Sequence, residues 1–224
     1  MEKLADKGNG NYAYVDNLME ARKVLVTEMG ATLLTIAKDV KLQIEFNPTR
    51  VAAYRLLGYE NRLLRDEDFT DDRKDAGELG AGHTVTALYE LIPPGGADLD
   101  KVRAPNDLRY TTAPAHTSAA DRDELLYVRL RYKPPMATES REMTHVVRDE
   151  PERTASADFA FASAVAEFGM VLRDSPNKGK GSIDHAIRMA EGSRGADPFG
   201  YRSEFVSLAR MARDVLHAAA RGRE

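Results

Sequence analysis

Apolar and polar residues alternate with a period of two in the middle of the chain. In residues 40–46 (VKLQIEF) and 125–133 (LLYVRLRYK) every second side chain is apolar, which predicts strands with one buried face. Residues 84–92 and 141–147 predict two further strands, and a turn at Asn47 and Pro48 would make residues 40–59 a hairpin. About five strands joined by long connections predict a sandwich of antiparallel sheets.

After residue 154 the apolar residues recur with the period of a helix. This pattern predicts a C-terminal subdomain of three helices over residues 151–224, and an α+β fold for the chain. The predicted buried stripes are Phe161, Val165, Phe168 and Leu172; Ile183, Ala186, Ile187 and Ala190; and Phe205, Leu208, Ala212, Val215 and Ala219.

The first 31 residues predict one short strand and one helix. Asn17 with Glu20 fits an N-terminal capping box, and Gly30 stands where a helix C-terminus favours glycine. A single strand and helix cannot bury both of their faces, so we interpret residues 1–31 as the end of a βα-repeating domain that lies upstream. The helix would then need a new partner, either by docking or by forming a homodimer, through its apolar stripe of Leu18, Ala21, Leu25 and Met29.

Composition restricts the function more than it defines it. The 32 basic and 36 acidic residues are scattered along the chain and give a net charge of −4, which argues against a nucleic-acid partner. The chain contains no cysteine, so a thiolate nucleophile and a cysteine zinc site are excluded. Residues 95–124 lack any apolar period and are rich in Pro, Ala, Thr and Asp, so we expect a mobile loop between two strands.

Residues 65–83 (RDEDFTDDRKDAGELGAGH) are the clearest candidate for chemistry. Counted from Asp66, the sixth residue is Asp71 and the twelfth is Gly77, whereas a calcium loop of the EF-hand type needs glycine and glutamate there. The simplest reading is a solvated connector between strands. The alternative is a divalent-ion site, regulatory or hydrolytic, within the stretch from Asp66 to His83, with Glu78 as the base of any catalysis. Its candidate ligands are Asp71, Asp75, Glu78 and His83.

Other motifs are weaker. KGKGS, residues 178–182, precedes a helix but lacks the order of residues in a phosphate loop. His145 shares strand parity with Met143 and Val147, which predicts a core histidine. No Gly-x-Ser-x-Gly or His-Glu-x-x-His motif occurs, so hydrolase and metalloprotease signals are missing.

Three segments carry a family resemblance. Residues 8–64, residues 71–91 and the closing GYRSEFVSLARMARDVL resemble the C-terminal portion of bacterial von Willebrand factor type A domain proteins. The resemblance implies that residues 1–31 end an adhesion-type domain, that residues 32–150 form a domain of unknown function, and that the protein belongs to the cell envelope or another extracytoplasmic site. The ion-binding Asp-x-Ser-x-Ser motif of that family does not occur in this sequence, so its metal chemistry is carried onto no residue.

These observations favour a non-catalytic accessory module that mediates protein–protein contacts. We expect no enzymatic activity and no cofactor, and we expect the upstream von Willebrand factor type A domain to be a partner within the same chain. The divalent-ion site between Asp66 and His83 remains the alternative.

Overall fold

The computed structural model describes residues 12–58, 63–96, 116–150 and 154–221. It is a mixed α and β structure with antiparallel sheets, as the hydrophobic pattern predicts. The strands are β1 (Thr35–Phe46), β2 (Ala53–Leu57), β3 (Gly77–Gly80), β4 (Leu88–Ile92), β5 (Glu124–Lys133) and β6 (Arg141–Arg148). The α-helices are α1 (Leu18–Arg22), α2 (Met29–Leu33), α3 (Ala157–Leu172), α4 (Ile183–Gly192) and α5 (Tyr201–Arg221). No helix in the described ranges has the length and apolar character needed to cross a membrane.

The largest sheet contains four strands in the order β3-β1-β5-β6. Opposite residues of antiparallel strands share a face, so the register of the strands divides the sheet into two faces. One face, called here the polar face, holds Lys41 opposite Arg131, which is itself opposite Glu142. The other, called the apolar face, holds Leu42 opposite Leu130, and beyond them Met143.

A β-bulge interrupts β1 near its middle. Lys38 pairs with Lys133 and Lys41 pairs with Arg131, so β1 has one residue more than β5 between these two pairs. Asp39 lies in this bulge with φ of +50°, a left-handed conformation that aspartate adopts more readily than most residues. Beyond the bulge the apolar and polar residues of β1 lie on opposite faces, but Lys41 is buried and Leu42 is exposed, which is the reverse of the predicted burial.

The second sheet contains only β2 and β4. The predicted hairpin over residues 40–59 is therefore wrong, because β2 pairs with β4 and not with β1. The strand predicted at 84–92 is shorter and begins at Leu88. Phe46 at the end of β1 packs against Tyr54 of β2 and Tyr89 of β4, with ring centroids 4.3 Å and 5.3 Å away.

The N-terminal segment is helical but irregular. Asn17 caps α1 by accepting a hydrogen bond from the Glu20 amide, as the capping box predicts. Residues 23–27 then form a π-helical turn, which breaks the 3.6-residue period of the predicted stripe. Gly30 lies inside α2 and does not end a helix, and the boundary placed after residue 31 falls within α2. No strand is assigned to residues 12–16.

The loop predicted at 95–124 is only partly described, because residues 97–115 lie outside the described ranges. At its C-terminal end, Glu124 already belongs to β5. Residues Ser118–Asp121 form a 3-10 turn with Ala120 buried. The Ala120 carbonyl accepts hydrogen bonds from Asn47 Nδ2 at 3.0 Å and Thr49 Oγ1 at 2.9 Å. Asn47, which also donates to the Glu124 carbonyl at 2.7 Å, thus ties the β1–β2 connection to the start of β5.

The chain divides into two compact units, one formed mainly by the strands before Asp149 and the other mainly by the helices after Glu150. In the second unit, α4 lies between α3 and α5 in sequence and packs against both. The predicted α4 stripe is buried throughout, but α3 and α5 bury Ala164 and Ala209 where Val165 and Leu208 were predicted. The core of this unit comprises Ala164, Phe168, Ile183, Ala186, Ile187, Ala190, Val206 and Ala209.

Candidate functional site

Residues 66–83, called here the acidic segment, run along the polar face of the four-stranded sheet. The segment begins with a 3-10 turn at Asp66–Asp68 and includes β3, which pairs with β1. Basic side chains of β1 and β5 point toward it, because Lys41, Arg131 and Lys133 each contact at least one of its residues. The geometry of this contact decides whether its carboxylates could act as ligands.

Lys41 is the most deeply buried charged residue of this contact, with only 2% of its surface exposed. Its ammonium donates to two backbone carbonyls of the acidic segment, Asp68 O at 3.2 Å and Asp71 O at 2.5 Å. A buried ammonium requires hydrogen-bond acceptors, and the folded loop supplies them from its main chain. Lys41 therefore holds the acidic segment in place without using any of its carboxylates.

Asp72 is bound through its side chain. Its Oδ1 accepts from Arg131 Nη2 at 3.0 Å and from the Ser140 hydroxyl. Lys133 donates to the Asp72 carbonyl at 2.8 Å and to Asp39 Oδ2 at 2.6 Å. The Ser140 hydroxyl and the Arg131 guanidinium lower the pKa of Asp72 below its ordinary value, so this carboxylate is held in its charged form.

Asp68 and Asp71 bind arginines of the acidic segment and its flank. Arg65 Nε lies 3.2 Å from Asp68 and lowers the pKa of that carboxyl, with a smaller contribution from Lys74. Hydrogen bonds from the side chain and the backbone of Arg73 hold the pKa of Asp71 far below its usual range. Both carboxylates are therefore occupied by cations of the protein itself.

Phe69, between these two aspartates, is the apolar anchor of the acidic segment. It is buried, and the Arg129 guanidinium lies 4.7 Å from its ring centroid. This cation–π contact makes the position of the Phe69 ring among charged side chains favourable.

Asp75 and Glu78 have a different environment. Together with Asp39, Lys38, Lys133 and Thr138 they line an open depression of about 360 Å³. Burial and the nearby charges of Asp39 and Asp75 raise the pKa of Glu78, although Lys38 partly opposes this effect. In the ionised form Glu78 therefore destabilises the fold, unlike Asp72.

The structure does not bring the four candidate ligands together. Asp75 and Glu78 share the depression, Asp71 is bound to Arg73, and His83 is exposed, with its backbone amide donating to the Gly80 carbonyl. No hydrogen bond joins Glu78 to His83 in the described structure. Within the described ranges, no group of three or more His, Asp or Glu residues is arranged so that it could hold a metal ion.

One buried carboxylate that the sequence did not reveal lies in the helical unit. Glu167 of α3 accepts from the Ser182 amide at 2.9 Å and contacts His185 Nδ1 at 2.7 Å. A Cβ on Gly181 would lie 2.8 Å from the Lys178 carbonyl and 3.2 Å from Glu167 Cγ, so glycine is required for this close approach. The KGKGS loop is therefore occupied by the protein's own carboxylate, which would repel a phosphate.

Two other predicted residues or sets can be located. His145 is exposed, so the prediction of a core histidine is wrong. In the N-terminal stripe Leu18 is 87% exposed and Leu25 is 66% exposed, while Ala21 is partly buried and Met29 is exposed. The stripe therefore has no covering partner among the described residues.

Fold and site together define an α+β protein whose conspicuous acidic segment is bound to a basic sheet face. The chain belongs to the family described as "Uncharacterized protein YfbK, C-terminal", whose model matches residues 31–215.

Among known proteins the chain is similar to the uncharacterized protein YfbK of Escherichia coli (strain K12), with 42% identity over 216 residues. The match covers 96% of this chain and 36% of the relative, so the chain spans little more than a third of the length of that protein. No solved structure matches the chain.

Proposed function

We propose that this chain is a non-catalytic accessory module of a von Willebrand factor type A domain protein, in which it mediates protein–protein contacts. In this proposal residues 1–31 end the adhesion-type domain, the two sheets form a β-sandwich of unknown function, and residues 151–224 form a three-helix subdomain. An extracytoplasmic or cell-envelope location is part of the same proposal.

The main support is the way in which the acidic segment is used. Asp68, Asp71 and Asp72 bind arginines or a serine, and their carbonyls bind Lys41 and Lys133. A catalytic or ion-binding carboxylate must present free oxygen atoms toward its ligand, whereas these carboxylates are already bound by cationic side chains of the protein itself. Their arrangement favours a structural role for this stretch.

The exposed N-terminal stripe supports the interaction part of the proposal. Leu18, Leu25 and Met29, which precede β1 in the sequence, present apolar side chains to solvent. Burying such side chains stabilises a complex by about 1.5–3 kcal/mol for each large residue. The preferred partner of this stripe is the remainder of the full-length protein.

A binding experiment tests this proposal. The portion of the E. coli relative outside the match is produced separately and titrated with the present chain by calorimetry. We expect a one-to-one complex that Leu18→Asp and Leu25→Asp weaken. Met136→Asp, at a fully exposed position elsewhere, serves as the matched control. If the two parts do not bind, or if the three variants bind equally, the interaction role of the stripe is refuted.

The depression around Glu78 favours a second candidate, a divalent-ion site of regulatory or hydrolytic function. Glu78 and Asp75 both line it, and a carboxyl with a raised pKa in a depression is typical of functional sites. Calorimetry with Ca²⁺, Mg²⁺ and Mn²⁺ distinguishes the two candidates. Stoichiometric binding that Glu78→Gln abolishes would favour the ion site, whereas the accessory role predicts no binding at micromolar concentrations.

A further inference from the structure

The two edges of the four-stranded sheet differ in how well they are protected. β3, at one edge, has four residues, two register shifts along β1 and a glycine at each end. Short strands and irregular pairing are common ways to prevent an edge from binding another strand. The edge at β3 is therefore protected.

β6, at the other edge, is longer, and its pairing with β5 shifts register once, between Val147 and Arg148. It has eight residues, seven of them exposed, and contains neither proline nor lysine. From Leu126 opposite Val147 to Tyr132 opposite Arg141 its pairing with β5 is regular. No described strand pairs with its outer side. An exposed edge of this length with regular pairing can accept a further strand.

The sequence of β6 is complementary to itself. In an antiparallel pair of two copies, residues that lie opposite each other must share a face, so odd positions meet odd positions. With His145 on the two-fold axis, every charged residue of the strand meets an opposite charge or solvent. The resulting pairs are His145 with His145, Thr144 with Val146, Met143 with Val147, Glu142 with Arg148, and Arg141 with Asp149 just beyond the strand.

The neighbouring register is poorer. With Thr144 on the axis, Glu142 would face Val146 and Arg141 would face Val147, so no opposite charges meet. Opposite charges directly across a strand pair are stabilising, whereas a charge facing an apolar residue gains nothing. Arg148 makes no ion pair within the described residues, and Glu142 binds Arg129 at 2.9 Å, which orients its carboxylate on the polar face.

We propose that two copies of this chain associate through β6, in antiparallel register with His145 on the two-fold axis, to form one continuous eight-stranded sheet. The occupant of the edge is thus a second copy, selected by the Glu142–Arg148 and Met143–Val147 pairs. Met143, 58% exposed in the single chain, becomes covered by Val147 of the second copy.

Cysteine cross-linking tests the register, because the natural chain contains no cysteine. At the axis, the two Cβ atoms of residue 145 would lie about 4.5–5.5 Å apart, so His145→Cys should form an intermolecular disulfide on mild oxidation. The two copies of residue 143 would be offset by four positions, about 13 Å along the strands, beyond the reach of a disulfide. Met143→Cys is therefore the matched control, and equal cross-linking of both variants would overturn the proposed register.

Sedimentation tests the association itself. We expect a dimer of the natural chain in the tens of micromolar range and a dissociation constant raised about tenfold or more by Arg148→Glu, which places like charges opposite each other twice. Arg22→Glu, an equal charge change in the N-terminal segment, should leave the dimer intact. A monomer at 100 micromolar, or a dimer that Leu25→Asp dissociates and Arg148→Glu does not, would overturn the proposal.

Discussion

The two faces of the four-stranded sheet are covered in the opposite way from most half-buried sheets. The polar face, with Lys41 and Arg131, lies under the acidic segment, and Lys41 is 2% exposed. The apolar face is covered at Phe46 but open at Leu42, which is 49% exposed, and at Met143. Alternation along a strand therefore shows that two faces differ, but not which of them the rest of the chain covers.

The largest expected effect is the difference in stability between substitutions at two positions on the apolar face of β1. Phe46→Ala should lower the free energy of unfolding by about 3–5 kcal/mol, because it removes a buried ring that packs on Tyr54 and Tyr89. Leu42→Ala, four residues earlier on the open part, should cost far less. Urea unfolding of both variants measures the difference. Similar losses would mean that the apolar face is covered along its full length.

On the polar face, Lys41→Met should lower the free energy of unfolding by about 1–3 kcal/mol. The methionine keeps most of the stem but leaves the Asp68 and Asp71 carbonyls without their donor. Lys74→Met is the matched control, because Lys74 is exposed and only reaches Asp68 at 3.5 Å. If both variants lost the same stability, the buried ammonium would not be what fixes the acidic segment.

The polar face should also make stability depend on acid pH. The pKa values of Asp68, Asp71 and Asp72 are lowered in the folded state, so the folded protein binds protons less readily than the unfolded one. Their contribution is present above the ordinary aspartate pKa of about 3.9 and is lost as pH falls through the lowered values.

Asp72→Asn should make this loss on acidification shallower, and the exposed control Asp66→Asn should not. Thermal unfolding between pH 7 and pH 2.5 measures the slope. An unchanged slope in Asp72→Asn would contradict the structural role of the Asp72–Arg131 pair.

Glu78 should respond in the opposite direction. Its pKa is raised, so the folded state binds its proton more tightly and gains stability as pH falls through the raised value. Glu78→Gln removes the cost of the charge near Asp39 and should raise the free energy of unfolding at pH 7 by at most about 0.5 kcal/mol. A clear loss of stability would indicate that the Glu78 carboxylate makes a favourable contact in solution.

The smallest effect is expected at the open end of the apolar face. Met143→Ser, measured at low micromolar concentration where the single chain dominates, should change the free energy of unfolding by no more than about 0.5 kcal/mol. The thermal midpoint at two protein concentrations supplies the check. A large loss at the lower concentration would show that Met143 is covered within one chain.

Strands with strict alternation were predictable from the sequence. β5 and β6 match the predicted segments closely, and β1 contains its predicted segment, because a period of two is hard to produce in any other element. β3 was missed because GELG carries no period and is a strand only through its pairing with β1. The hairpin of β1 and β2 was predicted because strands adjacent in sequence usually pair. In the structure Asn47, between these strands, binds the Ala120 carbonyl instead.

The helical stripes were predicted in part. The sequence pattern placed the large apolar residues Val165 and Leu208 on the buried face. Ala164 and Ala209 occupy that face instead, with no exposed surface. Small residues allow closely approaching helices, and a pattern scored on large side chains overlooks them. The Glu167–His185 contact was invisible for another reason, because the two residues lie on different helices and only folding brings them together.

The acidic segment could be located from its sequence but its role could not be derived. Its charge density was evident, and its spacing does not fit a calcium loop of the EF-hand type. The interpretation as a solvated connector is wrong at Asp68 and Phe69, which are buried, and at residues 77–80, which form β3. What binds it was hidden in the residues predicted to face outward on β1 and β5, Lys41 and Arg131 among them. Their partners depend on the fold, which no local spacing encodes.

The pairing of β1 with β5 also has a consequence for the time course of folding. The contact between Asp39 and Lys133 joins residues 94 positions apart, whereas Glu167 and His185 are separated by 18. Because long loops close slowly, the helical unit should form early and the central strand pair late. During synthesis β1 leaves the ribosome long before β5 is made. The apolar residues of β1 are therefore unpaired during that interval. Charged residues such as Lys41 and Glu45 alternate with these apolar residues, and they oppose aggregation of β1 while it is unpaired.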